Sequence, residues 1–478
     1  MVREYLSYKI HIFLIGVMIM IAGSANTGTA KGPLRVHPAN PRYFTDDSGN
    51  MIYMTGSHMW NNLIDMGKDD PPQPLDFPGY LDFLQRYGHN FIRLWAWDSV
   101  IWNTKANGPA LGKDFIHNVA PQPWARTGPG NALDGKPRFD LTKFNPDYFG
   151  RLRERVASAG ERGIYVSVML FEGWGLFHAN RRSQATVGWA WRSHPFHPDN
   201  NVNGIGADLE GEDNRPKVHS LTNPEATAIQ EAYIKKVVDT VNDLDNVLYE
   251  VINEGGDKDW DWWVVNTIHD YEKTKPKQHP VGITGHGAER LLSMLASPAD
   301  WISPGRADGY AEEPPAWDGK KISLLDTDHV WGVGGNHAWV WKGFVRGHNP
   351  LFMDPYDGEI LGEPFDPKFE LLRLNLGYAM RYAKKMNMAE MAPHNDLAST
   401  QYCLANPGEE YLVYLPDGNK VTVDLSGEPG TFAIEWFNPR TGAATDGGTS
   451  AGGGKVDFTV PFDGDSVLYL LLKREGQP

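Results

Sequence analysis

The chain has 478 residues, too many for one core of ordinary size. A barrel of roughly 250 to 350 residues with a smaller companion domain fits that length. Its 60 acidic and 45 basic side chains leave a net charge of −15, which repels phosphate backbones and argues against nucleic acid as a partner. A single cysteine, Cys403, rules out an intramolecular disulfide. Neither an HExxH run nor zinc-spaced Cys/His pairs occur, so no metal or other cofactor is expected.

Residues 1–30 have the layout of a secretory signal peptide. Arg3 and Lys9 supply positive charge, Ile10 to Ala22 is apolar, and Gly23-Ser24-Ala25 or Gly28-Thr29-Ala30 offers a small-residue cleavage site. The apolar run is short for a membrane span, so an uncleaved anchor is the weaker reading. The mature chain is expected to be secreted or periplasmic, with no membrane insertion after signal removal.

Tyr43 to Tyr53 reads as two short strands around an Asp-Ser-Gly-Asn turn. Apolar strand-like runs then alternate with helical segments over residues 31–391. The predicted strands are Ile52–Ser57, Phe91–Trp97, Ile164–Phe171, Val247–Asn253, Val281–Gly285, Trp301–Ser303, Ile322–Asp328 and Leu351–Asp354. The helices between and after them are Phe77–Tyr87, Pro146–Glu161, Pro224–Asn242, Trp260–Lys273, Ala288–Leu295, Trp339–Val345 and Phe369–Met386. This rhythm predicts an α/β fold, a (β/α)8 TIM barrel. An open doubly wound sheet is less consistent, because the first strand runs into His58-Met59-Trp60 rather than a Gly-rich phosphate turn. Long segments after strands two and three, Asp98–Leu141 and Glu172–Asn223, fall on the face where barrel active sites lie. Residues 392–478 change texture to short alternating runs split by Gly/Pro/Asp turns, a small C-terminal all-β sandwich.

Strand four carries the sharpest motif, VLYEVINE, Val247 to Glu254. Alternation puts Glu250, Ile252 and Glu254 on one face with Glu254 at the mouth, and a carboxylate there reads as catalytic. The stretch resembles the clan A retaining glycosidases, the cellulase and mannanase group, whose Asn-Glu pair closes strand four. The resemblance implies that Glu254 is the acid/base and that Asn253 bonds a sugar hydroxyl. HNFIRLWAW, His89 to Trp97, resembles the same clan and places Arg93 where it would hold and acidify the second carboxylate. The clan ends strand seven on Glu; this chain has ISLLDTDH, Ile322 to His329, with Asp326 and Asp328 instead. Asp328, the outermost, is expected to be the nucleophile. Asp326 is the alternative, or a buried partner tuning its neighbour. The opening, Val36 to Trp60, resembles the apiosidase-like branch of these barrels. The tail, Leu397 to Leu415, resembles a domain labelled collagen-binding that often follows them, although nothing in the sandwich reads collagen.

Of 17 tryptophans only Trp436 lies in the sandwich, and many of the others follow strand ends, which suggests sugar-stacking platforms. Trp60, Trp95, Trp97, Trp174 and Trp331 are the candidates, with core packing as the bland alternative. His58, His286, His329 and Glu172 are candidate hydrogen-bonding walls. The acidic run Asp208–Asp213 reads as a solvated loop, with calcium binding as the alternative. The function expected is hydrolysis of glycosidic bonds in a plant-derived polysaccharide or oligosaccharide by a two-carboxylate retaining mechanism. The competing reading is a non-catalytic carbohydrate-binding barrel that lost its strand-seven Glu.

Overall fold

A computed structural model describes residues 30–474 except 104–115, 178–189, 208, 211–214, 286, 306–308, 357, 359, 362–366 and 428. Residues 1–29 of the expected signal peptide, His286 and most of the Asp208–Asp213 run lie outside the described residues. Eight parallel strands form one sheet: β1 (Gly56–His58), β2 (Phe91–Leu94), β3 (Tyr165–Glu172), β4 (Val247–Asn253), β5 (Val281–Gly285), β6 (Trp301–Pro304), β7 (Ile322–Asp326) and β8 (Asn349–Met353). Their spatial order is β1-β8-β7-β6-β5-β4-β3-β2, the order of a TIM barrel. The seam between β1 and β2 closes through Asn90, which donates its backbone N–H to Thr55 O and accepts from Thr55 N at Oδ1, both at 3.0 Å. Gly56 permits that closure, because a Cβ there would lie 2.0 Å from the carbonyl oxygen of Phe91.

The connecting helices are α1 (Phe77–Arg86), α2 (Pro146–Glu161), α3 (Pro224–Val241), α4 (Lys258–Glu272), α5 (Ala288–Ala296), α6 (His337–Val345) and α7 (Pro367–Lys385). Their starts are written in the sequence. Asp76, Asn145, Asn223, Asp257 and Asn336 each accept a first-turn backbone N–H, and proline opens α2 and α3. Among the described residues no helix joins β6 to β7. No described helix is long and apolar enough to cross a membrane.

Three expectations at strand ends are corrected. Met51–Ile52 does not enter the barrel; it pairs antiparallel with Phe44–Thr45 in a small sheet with Arg35–Val36. That sheet buries Leu34 and Phe44 against Phe91, Leu248 and Trp301 at the strand starts, closing the barrel floor. The second barrel strand stops at Leu94 rather than Trp97. The seventh stops at Asp326, because Thr327–Val330 turns into a short helix. The long segment after β2 is structured too: Ile101–Asn103 and Ile116–Ala120 pair beside Asp65–Gly67, and Trp124–Asn131 pairs with Pro137–Phe144.

After α7 the chain forms antiparallel sheets. Strands β9 (Cys403–Asn406), β10 (Glu410–Leu415), β12 (Thr431–Phe437), β13 (Ala444–Ala451) and β15 (Ser466–Leu472) share one sheet with Ala392–Pro393, while β11 (Lys420–Asp424) pairs with β14 (Lys455–Thr459). In β10, Tyr411, Val413 and Leu415 face the core of this β region, and Leu412 and Tyr414 face the barrel. Both faces are covered, so the strand reads as continuously apolar instead of alternating. Trp341 of α6 packs on Phe437, and His337 Nε2 lies 3.0 Å from Asp465 Oδ2 across the same contact.

Candidate active site

The site is built around Arg93. A guanidinium buried inside a barrel is stable only when its donors are paired. Arg93 Nε and Nη2 donate to the two oxygens of Glu250 at 3.0 and 2.5 Å. Nη1 donates to Asp326 Oδ2 and Asp328 Oδ2, each at 3.0 Å, and Nη2 also reaches Asn253 Oδ1 at 2.9 Å. Strands two, four and seven are thereby tied at one point, and the surrounding carboxylates hold Arg93 above its ordinary value despite burial. Glu250 was legible as inward-facing by alternation, but its partnership with Arg93 follows only from the closed barrel.

The two aspartates do not stand one above the other on an extended strand, as the sequence suggested. Asp326 ends β7, and its Oδ1 accepts the backbone N–H of Asp328 at 3.0 Å, capping the short helix. The turn brings Asp328 back toward the same Arg93 nitrogen. Their environments push them in opposite directions. Although buried, Asp326 is held well below the usual carboxylate range by His58 and Arg93. Burial raises Asp328 well above it; Glu254 and Asp326 add to that rise, and Arg93 opposes it.

Glu254 follows the last residue of β4 and has φ +49°, a left-handed conformation that costs a non-glycine residue energy. Simple alternation therefore ends at Asn253. The next residue, Gly255, packs against the loop after β3 so closely that a Cβ on Gly173 would lie 2.4 Å from Gly255 Cα. In this position Glu254 is partly exposed at the mouth, and a carboxylate oxygen of Glu254, one of Asp328 and a ring nitrogen of His329 all lie within 4.8 Å of one another.

That trio has the spacing of a cation site, but the hydrogen bonds around it disfavour one. Asn253 Oδ1 already accepts from Arg93, so His329 Nε2, 3.1 Å away, must be the donor in its contact with that oxygen. Nδ1 of His329 then accepts the Ser303 hydroxyl at 2.8 Å. A protonated Nε2 cannot ligate a metal. The arrangement also fixes the Asn253 amide with its Nδ2 as the remaining donor end.

His58, expected as a sugar-binding wall, is buried, and both of its ring nitrogens lie against protein groups. Trp95 Nε1 donates to Nδ1 at 2.8 Å, and Nε2 lies 2.7 Å from Asp326 Oδ2. The tryptophans divide in a way the sequence did not reveal. Trp60, Trp95 and Trp97 are at most 2% exposed and pack against neighbouring rings rather than presenting an open face. Trp60 packs on Trp95, Trp97, Trp102 and Trp174 at ring separations of 5.0 to 5.8 Å. Trp174 and Trp331 retain partial exposure. Glu172 closes β3, accepts Gly175 N–H at 2.8 Å, and is raised well above its ordinary value by burial, with Asp98 and Glu254 adding. Sequence reasoning missed Asp98, whose Oδ2 lies 3.0 Å from His219 Nε2 and 3.8 Å from His194 Nε2. Those histidines come from the long segment after β3, so no local motif joins them to Asp98.

The fold is similar to that of solved chains titled as glycoside hydrolases. A solved chain titled "Glycoside hydrolase" superposes with a TM-score of 0.58 at 14% identity, covering 92% of this chain and 97% of its own. A glycoside hydrolase family 5 structure from Bacteroides vulgatus ATCC 8482 gives a TM-score of 0.58 at 14% identity, covering 93% of this chain and 96% of its own. Residues 117–287 match the family "Domain of unknown function (DUF6298)", and residues 390–471 match "Putative collagen-binding domain of a collagenase". No curated protein sequence matches the chain.

Proposed function

We propose that this chain is a secreted glycoside hydrolase that cleaves plant-derived oligo- or polysaccharides with retention of configuration. The observation that carries the reading is the approach of Glu254 and Asp328, whose oxygens come within 4.8 Å at the barrel mouth. Retaining enzymes hold their carboxyl groups about 5 to 5.5 Å apart, and inverting ones about 6.5 to 9.5 Å. The shorter side chain at strand seven is offset here by the turn that carries Asp328 inward.

In the first step the Glu254 carboxyl gives its proton to the glycosidic oxygen while Asp328 attacks the anomeric carbon. The bond to the leaving group breaks and a glycosyl ester forms on Asp328. Arg93 holds Asp328 Oδ2, which leaves Oδ1 as the attacking oxygen. In the second step the Glu254 carboxylate takes a proton from water, the water oxygen attacks the anomeric carbon, and Asp328 departs. Asn253 Nδ2 is the donor for a hydroxyl beside the reacting carbon, and Trp174 and Trp331 supply partly exposed rings for sugar faces.

A non-catalytic carbohydrate-binding barrel is the second reading, favoured by Asp in place of Glu at strand seven. The test is a screen of the purified protein and its Glu254→Gln variant on polysaccharides and aryl glycosides. Sugar release by the parent, reduced at least about 100-fold in the variant, is the expected result. Saturable binding without release by either protein would establish the second reading, and release by the variant at more than about a tenth of the parent rate would remove Glu254 from its role.

A further inference from the structure

We propose that Arg290 is a positioning residue for Glu254, fixing the left-handed turn that carries the acid/base carboxylate, with Asp261 anchoring the guanidinium. The inference rests on the glycosidase reading above.

The β4–β5 ladder pairs Tyr249 with Val281 and Glu250 with Gly282. Beyond that point two side chains supply donors to the carbonyls at the mouth. Thr284 Oγ1 donates to Ile252 O at 2.7 Å, and Arg290 Nη2 donates to Gly255 O at 3.2 Å. Arg290 also reaches back to Thr284 O, from Nη2 at 3.2 Å and Nε at 3.3 Å. The guanidinium therefore bridges the end of β5 to the carbonyl of Gly255, the residue after Glu254, and Glu254 with its φ of +49° is the strained element at the site.

Arg290 is held in turn by a short ion pair from Nη1 to Asp261 Oδ2 in the first turns of α4. Asp261 is 1% exposed, and among the described residues its Oδ1 has no hydrogen-bond partner, so its charge depends on Arg290. Burial pushes Asp261 up to about 7 against the pull of Arg290, as expected for a carboxylate with one supporting cation. Both groups sit directly on glycines. A Cβ on Gly256 would lie 2.4 Å from Asp261 Oδ1, and one on Gly285 would lie 2.8 Å from Arg290 Nε. Gly256, two residues past Glu254, and Gly285, at the end of β5, thus make room for this clamp, which acts on Glu254 through the backbone of Gly255.

The test compares Arg290→Ala and Arg290→Lys with Glu254→Gln on phenyl and 2,4-dinitrophenyl glycosides of the sugar that the screen selects. Dinitrophenolate departs without a proton, so misplacing the acid spares the step that expels it. For Arg290→Ala, kcat/KM is expected to fall about 100-fold on the phenyl glycoside and less than about threefold on the dinitrophenyl one, the same pattern as Glu254→Gln. Arg290→Lys, which keeps the charge but cannot bridge both carbonyls, should fall between. An equal loss on both substrates, or no loss, overturns the proposal. A second readout needs no turnover and uses Arg290→Lys if the alanine variant fails to fold. In protein labelled with 13C at the glutamate carboxyls, the Glu254 resonance is the one missing in Glu254→Gln. Its chemical shift should move in the Arg290 variants, and an unchanged chemical shift overturns the proposal. If the parent hydrolyses no glycoside, the glycosidase reading fails and the resonance alone decides the role of Arg290.

Discussion

Asp326 Oδ2 lies 2.7 Å from His58 Nε2, beneath the barrel mouth. Trp95 fixes the tautomer by donating to the other ring nitrogen, so Nε2 carries the ring proton beside the carboxylate. Arg93 adds a second donor to the same oxygen. The folded chain therefore favours ionised Asp326, which stays well below the ordinary carboxylate range.

Asp326→Asn should lower stability at neutral pH by about 3 kcal/mol, since a buried charge network loses one member. A depressed pKa contributes stability that is present above the ordinary carboxylate value and lost as pH falls through the folded value. The gap between parent and variant should therefore close only in strong acid. Denaturant unfolding at neutral and acidic pH measures it, and equal stabilities at neutral pH would contradict the assignment.

Asp328 carries the opposite sign. Its folded pKa is raised by burial, so the fold favours the protonated form, and that preference is lost as pH rises through the folded value. Asp328→Asn should consequently be more heat-stable than the parent at pH 8, the difference shrinking as pH falls. Only ionised Asp328 can attack, so the acidic limb of kcat/KM should lie above the ordinary aspartate value of about 4. A limb at or below that value, together with no gain in stability, would show that Asp328 is not raised in the free protein.

The barrel was legible because apolar strand runs alternate with helical segments, five of which start at Asp or Asn caps. Strands β4 and β5 have the predicted bounds. The strand ends at the mouth were harder, since two features there break periodicity: the short helix after Asp326 and the left-handed Glu254. Both follow from side chains far apart in sequence. Arg93 is separated by 233 residues from Asp326, and no window of sequence contains that contact. How the tryptophans divide between buried and partly exposed was hidden for a related reason, because ring-on-ring burial depends on which loops meet.

The division among those tryptophans can be tested by substitution. Trp174→Ala and Trp331→Ala should raise KM by roughly fivefold with little change in kcat, since one stacked ring contributes about 1 kcal/mol. Trp60→Ala should cost about 3 to 5 kcal/mol of stability, because its ring is enclosed by four others. Thermal melts and steady-state kinetics on the same variants separate the two effects. A stable Trp60→Ala protein with a raised KM would return that ring to the sugar site.

Azide distinguishes the two aspartates as nucleophiles. Both accept from the same Arg93 nitrogen at 3.0 Å, so proximity to the cation does not choose between them. Their remaining contacts do. Asp326 spends Oδ1 on the backbone N–H of Asp328 and Oδ2 on Arg93 and His58, so neither oxygen is available to a sugar. Asp328 commits Oδ2 to Arg93 and lies within 4.8 Å of Glu254, the residue that must act on the same bond. With a 2,4-dinitrophenyl glycoside, Asp328→Ala leaves space at the anomeric carbon for a small anion. Added azide should restore turnover and give a glycosyl azide of inverted configuration, because one displacement replaces two. Glu254→Ala should also respond to azide, but with a product of retained configuration, because Asp328 attacks first and azide replaces the water that needs a base. Asp326→Ala should show neither response, since its defect lies in holding Arg93 and the turn. Rescue of Asp326→Ala with inversion, and none of Asp328→Ala, would transfer the nucleophile to Asp326.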